Sequence, residues 1–260
     1  DHLALPLEKV KFELGDTEMP ESGLSGGSMT AASVGSAVFA VCQAATKKLS
    51  EMAVKDKKSK LYGENIDDIE VINEGIYLKH DPAVGETFAS LLKRAGNGAL
   101  EINASAAPDE KTNKYSKYSW AAHFAEVEVD PEVGTVRVTR FVSAVAAGKI
   151  INPKTAASQL KGGVIYGIGM ALTEELVRDE RTGRTVNADL AEYHIPVHAD
   201  IPNIETVFID EVDTIINPLG AKGVGEISVI GVAAAVANAV YHATGKRVRD
   251  LPISLDKLLT

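Results

Sequence analysis

The 260 residues carry a net charge of −9, with 27 Lys and Arg against 36 Asp and Glu and a pI near 5.2. That balance excludes a nucleic acid or an anionic membrane surface as the main partner, because both demand clustered positive charge. At 45% hydrophobic and 24% charged residues the chain reads as globular, with one or two domains and no uncharged apolar run of about 18 residues to span a membrane, while its one cysteine, Cys42, excludes an intrachain disulfide or a cysteine-held zinc or iron–sulfur site.

The chain opens without a Met and without a basic leader and apolar core, on what reads as the tail of a helix and then a strand at residues 10–14. It is therefore expected to be a piece of a longer polypeptide. Residues 22–36 form a small-residue loop feeding an apolar-periodic helix to about Met52, with Ser28 or Thr30 as N-cap and Cys42 as a buried small hydrophobe. A cap needs one hydroxyl, and the surplus here also makes an array of donors suited to a phosphate or a polar ring edge. Residues 55–60 are a charged, solvated linker. Residues 69–78 predict a hairpin about Asn73, Glu74 and Gly75, residues 86–95 a helix, and residues 99–103 a short strand. After a polar stretch at 105–117, two strands at 118–129 and 135–142, joined by a turn at 130–134, make the clearest hairpin in the sequence.

Asn152 followed by Pro153 predicts a helix N-terminus with proline in the first position. That helix runs through Gln159 and the glycines at 162, 163, 167 and 169 to Glu174 and Glu175. Each interior glycine costs up to about 1 kcal/mol, so this face either packs closely on another backbone or receives a flat ligand. Residues 179–183 signal a turn, residues 187–196 are irregular, and Pro196 between His194 and His198 breaks the helical spacing a metal-binding pair needs. Residues 205–210 predict a strand, and residues 251–259 a short strand or turn.

Residues 217–245 begin as a loop with Gly220, Gly223 and Gly225 and pass into an Ala- and Val-rich helix, the junction falling at Glu226. Glycines let the backbone turn its N–H groups inward, and a helix N-terminus adds unpaired donors, a combination that suits phosphate. Glu226 there either favours the helix dipole or acts as a general base beside an anionic cofactor.

Four motifs in this order, residues 26–33 (GGSMTAAS), 151–175 (INPKTAASQLKGGVIYGIGMALTEE), 187–196 (NADLAEYHIP) and 217–228 (NPLGAKGVGEIS), resemble the C-terminal part of the molybdenum-binding large subunit of the xanthine dehydrogenase and aldehyde oxidase family. The resemblance spans nearly the whole chain and is nearest in style to the bacterial three-subunit aldehyde or purine dehydrogenases. Alternating strands and helices, several of them in hairpins, suggest an α+β fold of two lobes with helices packed on mixed β-sheets. The lobes divide here as residues 1–145 and residues 146–260, the second carrying the glutamate loop. The resemblance makes this the molybdenum cofactor-binding domain type. It implies that Glu226 is the base toward Mo–OH in the oxidation of aldehydes, purines or other N-heterocycles, with water as oxygen donor. The cofactor implied is molybdopterin in its cytosine dinucleotide form. Contacts to it fall on Thr30, Ala31, Ala32 and Ser33, on Lys149, Ile150, Ile151, Asn152, Pro153, Lys154, Thr155 and Gln159, and on Lys222, Gly223, Val224 and Gly225. Molybdenum is held by the cofactor dithiolene, so no protein ligand to the metal is expected. The resemblance further implies the N-terminal half of the same subunit, a 2Fe-2S subunit and an FAD subunit as partners, no turnover by this piece alone, and a cytoplasmic or periplasmic location in a bacterium. A non-catalytic cofactor-binding or assembly module of the same fold is the alternative.

Overall fold

The structure is a computed structural model describing residues 1–96 and 98–259. Its contacts divide the chain into two compact units, Asp1–Leu24 with Ala32–Glu110, and Ser25–Ala31 with Lys111–Thr260.

The first unit contains most of α1 (Thr30–Lys55), a three-stranded antiparallel sheet β1 (Ile69–Ile72), β2 (Gly75–Leu78) and β3 (Asp81–Thr87), and α2 (Phe88–Arg94). α1 is alanine-rich and free of proline, and it continues three residues beyond the expected end at Met52. The β1–β2 turn has Asn73 and Glu74 both at positive φ, 47° and 59°, the pairing whose twist matches a two-residue hairpin. Leu49, Ala53, Leu61, Ile76, Leu78 and Leu91 close the core. Arg94 ties Asp56, just past the end of α1, to Glu86 on β3, donating at 2.8 Å to each. The expected helix at 86–95 starts later, because β3 runs to Thr87, whose hydroxyl then caps α2 by accepting from the Ser90 amide. No strand forms at 10–14: Val10, Phe12 and Leu14 find no pairing partner and stay exposed. Nor does one form at the described residues within 99–103.

The second unit is built on β4 (Trp120–Val129), β5 (Val136–Ala146) and β6 (Asn203–Phe208), with β4 antiparallel and β6 parallel to β5. The parallel pair requires a crossover, and α3 (Pro153–Leu172) supplies it. α4 (Val232–Thr244) and the short α5 (Asp256–Leu259) complete the unit. Phe141 and Val138 from the sheet, Val164, Ile168 and Ala171 from α3, and Val232, Val236 and Val240 from α4 form the main core. The α+β expectation holds, with one antiparallel and one mixed sheet. The division falls at Glu110/Lys111 and not at 145/146, because β5 crosses residue 145 while bonded to β4 on one side and β6 on the other. Among the described residues no helix is long and apolar enough to cross a membrane.

Two further expectations change. α4 begins at Val232, six residues after Glu226, because Gly231 at φ 93° turns the chain left-handed just before it. Residues 251–259 contain no strand; a cis Leu251–Pro252 bond precedes α5.

Candidate functional site

Three loops of the second unit build the site around Glu226: two of them join at the glutamate and one is pinned to them at Gly220 and Lys222. The first is the Ser25–Ala31 segment, the second follows β5 and starts α3, and the third runs from β6 to α4.

The second and third loops are pinned together by backbone. Lys149 N–H donates to the Gly220 carbonyl at 2.7 Å, and Lys222 N–H donates to the Ala147 carbonyl at 2.9 Å. Gly220 sits at φ 71°, with the Val212 side chain 2.5 Å from where a β-carbon would stand, so no other residue makes this turn without strain. Asn217 folds its side chain into the same turn, accepting from the Leu219 amide and donating to the Ala221 carbonyl at 2.7 Å. Around this knot lies an ion triad. Lys222, 7% exposed, reaches Glu211 at 2.6 Å and Asp213 at 3.2 Å, and Glu211 also accepts from Gly148 N–H at 3.1 Å. Burial alone lowers the pKa of the Lys222 ammonium, but the two carboxylates outweigh it and hold it above the ordinary lysine value. The hydrogen bond from Lys222 holds Glu211 below the usual carboxylate range; at Asp213 burial acts upward and is outweighed by Lys222.

The first loop seats on the third through Ser28. A β-carbon on Gly225 would stand 3.0 Å from Ser28 Oγ and 3.2 Å from Gln159 Oε1, and one on Gly223 would stand 3.0 Å from Ser28 Cβ. Ser28 of the first loop and Gln159 of α3 therefore both lie against Gly225, and Ser28 against Gly223 as well. Ser28 Oγ donates to Glu226 Oε2 at 2.8 Å, across 198 residues of sequence. The Gly223 carbonyl is fixed from another side by the Ser119 hydroxyl at 2.9 Å.

The expected site residues thus fall into groups. Glu226, Gly223, Gly225 and Gln159 stand at the junction itself. Asn152, Pro153 and Thr155 form the start of α3 as expected, Asn152 Oδ1 accepting from the Thr155 amide with Pro153 in the first turn. Lys149, Ile151 and Lys154 are exposed beside that start. Ile150 and Val224 pack as apolar residues around Val145, Ala147 and Leu160. Lys222 turns its ammonium to Glu211 and Asp213 and spends its amide on Ala147, so its role in the structure is to lock the loops. Thr30 and Ala31 lie at the start of α1 within the second unit, the Thr30 hydroxyl 3.2 Å from Ser25 Oγ, whereas Ala32 and Ser33 continue the helix into the first unit.

Glu226 lies in a run of turns and not on a helix N-terminus, so the α4 dipole does not account for its position. Two of the α3 glycines resolve as close packing, Gly163 against Ser228 and Val229 and Gly167 against Val232, whereas Gly162 faces open space. Sequence reasoning missed Ser28 as a partner of Glu226, having read it as a cap, and missed Glu211, Asp213 and Ser119. No local pattern marks any of them: Ser28 and Ser119 act on residues distant in the chain, and Glu211 and Asp213 meet Lys222 only because their own loop folds back on itself.

The fold of the chain is shared with parts of two solved enzymes. Cu,Mo-CO dehydrogenase in its carbon monoxide reduced state superposes with a TM-score of 0.84 at 23% identity, covering 99% of this chain and 32% of that one, a likeness of fold. The aldehyde oxidoreductase from Desulfovibrio desulfuricans ATCC 27774 superposes at 0.62 with 26% identity, covering 92% and 23%. In sequence the chain is 42% identical over 257 residues to the aldehyde oxidoreductase molybdenum-binding subunit PaoC of Escherichia coli (strain K12), covering 99% of this chain and 33% of that subunit. It is 27% identical over 267 residues to the 6-hydroxypseudooxynicotine dehydrogenase complex subunit gamma of Paenarthrobacter nicotinovorans, covering 100% and 33%. Residues 1–202 match the Molybdopterin cofactor-binding domain family, and the chain belongs to that family. It spans about a third of the length of these curated relatives.

The residues present fit such a group. The amides of Gly223, Val224, Gly225 and Glu226 donate to no acceptor among the described residues, a run of donors that suits an anionic ligand. Lys149 and Lys154 form no ion pair among the described residues and flank the start of α3. Positive charge and backbone donors together match a phosphate-bearing pterin.

Proposed function

We propose that this chain is the base-carrying part of the large subunit of a molybdenum hydroxylase that oxidises aldehydes, or purines and other N-heterocycles, with water as the oxygen source. The observation that carries the reading is the junction at Glu226, where a carboxylate stands next to four uncommitted amides in a chain of the molybdopterin-binding family. When bound, the molybdenum cofactor supplies two-electron oxidation. Its cytosine dinucleotide form would be held by the amides of residues 223–225, by Lys149, Lys154 and Gln159 around the start of α3, and by Thr30 and Ala31.

The protein's own step is a proton transfer. Glu226 Oε2 accepts from Ser28, which leaves Oε1 to take the proton of the attacking oxygen. The Lys222 triad keeps the loop carrying that carboxylate in register with the β5–α3 loop. In this reading the N-terminal part of the subunit completes the substrate pocket, the 2Fe-2S and FAD groups sit on partner subunits, and the isolated chain does not turn over substrate.

Glu226→Gln in the complete complex tests the proposal. The expected result is a fall in kcat of about 10²- to 10⁴-fold with molybdenum and releasable pterin retained. An unchanged rate at full molybdenum content would make the chain a cofactor-binding or assembly module, and a complex lacking both metal and pterin would remove the cofactor reading.

A further inference from the structure

We propose that Ser28 is a positioning residue for Glu226, fixing which carboxylate oxygen is free to accept a proton and where it points. The inference rests on the reading of Glu226 as the base.

Ser28 holds a backbone conformation that serine seldom adopts, with φ at 58°. Strain of this kind persists only where the surroundings impose it. Here they do. Gly223 and Gly225 bring their backbone against Ser28 so closely that a β-carbon on either would stand 3.0 Å from its side chain. The third loop is thus shaped around one serine of the first. That serine has a single hydroxyl proton, and the geometry directs it to Glu226 Oε2 at 2.8 Å.

Among the described residues the carboxylate has no other anchor of comparable kind. Glu226 is exposed and outside any helix; the Val229 amide donates to its backbone carbonyl, and among the described residues only Ser28 donates to its carboxylate. Without Ser28 a glutamate in such a turn distributes over its staggered rotamers. With it, Oε2 is occupied and Oε1 is left open in one direction. Proton transfer needs the accepting atom within hydrogen-bond reach of the donor, so holding one rotamer raises the fraction of competent molecules and leaves substrate binding alone.

The test uses the complete complex with Ser28→Gly, which removes the hydroxyl and relieves the left-handed backbone, and with Ser28→Asn, which tolerates that backbone and keeps a donor. For Ser28→Gly the expected result is kcat lowered by about 10- to 100-fold with KM within about twofold, at unchanged molybdenum and pterin content. Ser28→Asn recovers part of the rate. In a Glu226→Gln background Ser28→Gly causes no further loss, as two residues acting in one step require. A crystal structure of Ser28→Gly finds the Glu226 side chain in more than one rotamer. The proposal is overturned if Ser28→Gly keeps its rate per molybdenum, or if its loss is the same with and without Glu226. Should Ser28→Gly not assemble, Ser28→Asn must assemble and keep kcat within about tenfold, and its failure to do so overturns the proposal as well. A Glu226→Gln enzyme with full rate removes the base reading and this inference together, whereas a slow Glu226→Gln beside an unaffected Ser28→Gly removes this inference alone.

Discussion

With Glu211 at 2.6 Å and Asp213 at 3.2 Å, the Lys222 ammonium keeps 7% of its exposure and answers two opposite charges at once. Replacing it with Met leaves both carboxylates facing each other beside a buried methyl group. Since those carboxylates are themselves a quarter to a third exposed, at 27% and 32%, the cost is discounted for solvent. It should be about 2 kcal/mol, read as a lower urea midpoint. The pH dependence follows from the directions of the shifts. Glu211 and Asp213 are depressed below their ordinary values of 4.5 and 3.8, so their contribution is complete above those values and is lost as pH falls through the depressed ones. Lys222 is raised above 10.5, so its contribution is complete below that value and is lost only in stronger alkali. The gap between wild type and Lys222→Met should therefore be constant from about pH 5 to about pH 9 and shrink in acid. A gap that widened as pH fell would contradict the triad. In the sequence Lys222 is a cofactor contact only through the family resemblance. Its acidic neighbours at 211 and 213 were visible, but which way the lysine turned depended on a fold that brings residue 148 to residue 220.

α3 shows how one element can carry both a legible signal and a hidden one. Asn152 and Pro153 announce its start through local chemistry, and the structure has the cap and the first-turn proline where expected. Its glycines left two readings open, because spacing does not reveal what lies opposite. Gly162 has nothing within 4 Å of an added β-carbon, whereas at Gly163 that carbon would meet Ser228 and stand 2.9 Å from the Val229 amide. Gly162→Ala should accordingly stabilise by about 0.5–1 kcal/mol through lost unfolded-chain freedom, and Gly163→Ala should destabilise by about 1–3 kcal/mol through overpacking. Denaturant midpoints of the two variants check the pair, and the reverse order would refute the packing assigned to this face. α4 teaches a related lesson. Its Ala- and Val-rich composition extends back toward Glu226, but Gly231 in the left-handed region, with His123 Cδ2 3.2 Å from a would-be β-carbon, delays the helix by almost two turns.

Over the whole molecule, the fold class was legible because the β4–β5 alternation, the crossover helix and the hairpin at Asn73 each follow from local pattern. The unit boundary was not, since it depends on strand pairing between segments more than fifty residues apart, as in Arg140 with Asn203. The outer face of the second sheet was also beyond reach of composition. There Trp120 at 68% and Phe124 at 65% exposure on β4, and Val207 at 44% on β6, lie on the two strands that flank β5, where an apolar residue pattern alone suggests burial. Trp120 is the single tryptophan in the sequence, so its fluorescence reports this face without ambiguity. In this 260-residue chain acrylamide should quench it nearly as freely as a free indole in water, and a protected, blue-shifted emission would contradict the exposed face.

The bond between Ser28 and Glu226 also has a timetable. Ser28 leaves the ribosome 198 residues before its acceptor, a wait on the order of 10 to 40 seconds at ordinary translation speeds of roughly 5–20 residues per second. During that interval the Ala32–Glu110 part of the first unit is synthesised, while the serine loop has nothing to close upon. Whatever is gripped by both loops is therefore gripped after nearly all of this chain has emerged, and nascent chains halted before residue 226 should be unable to retain it.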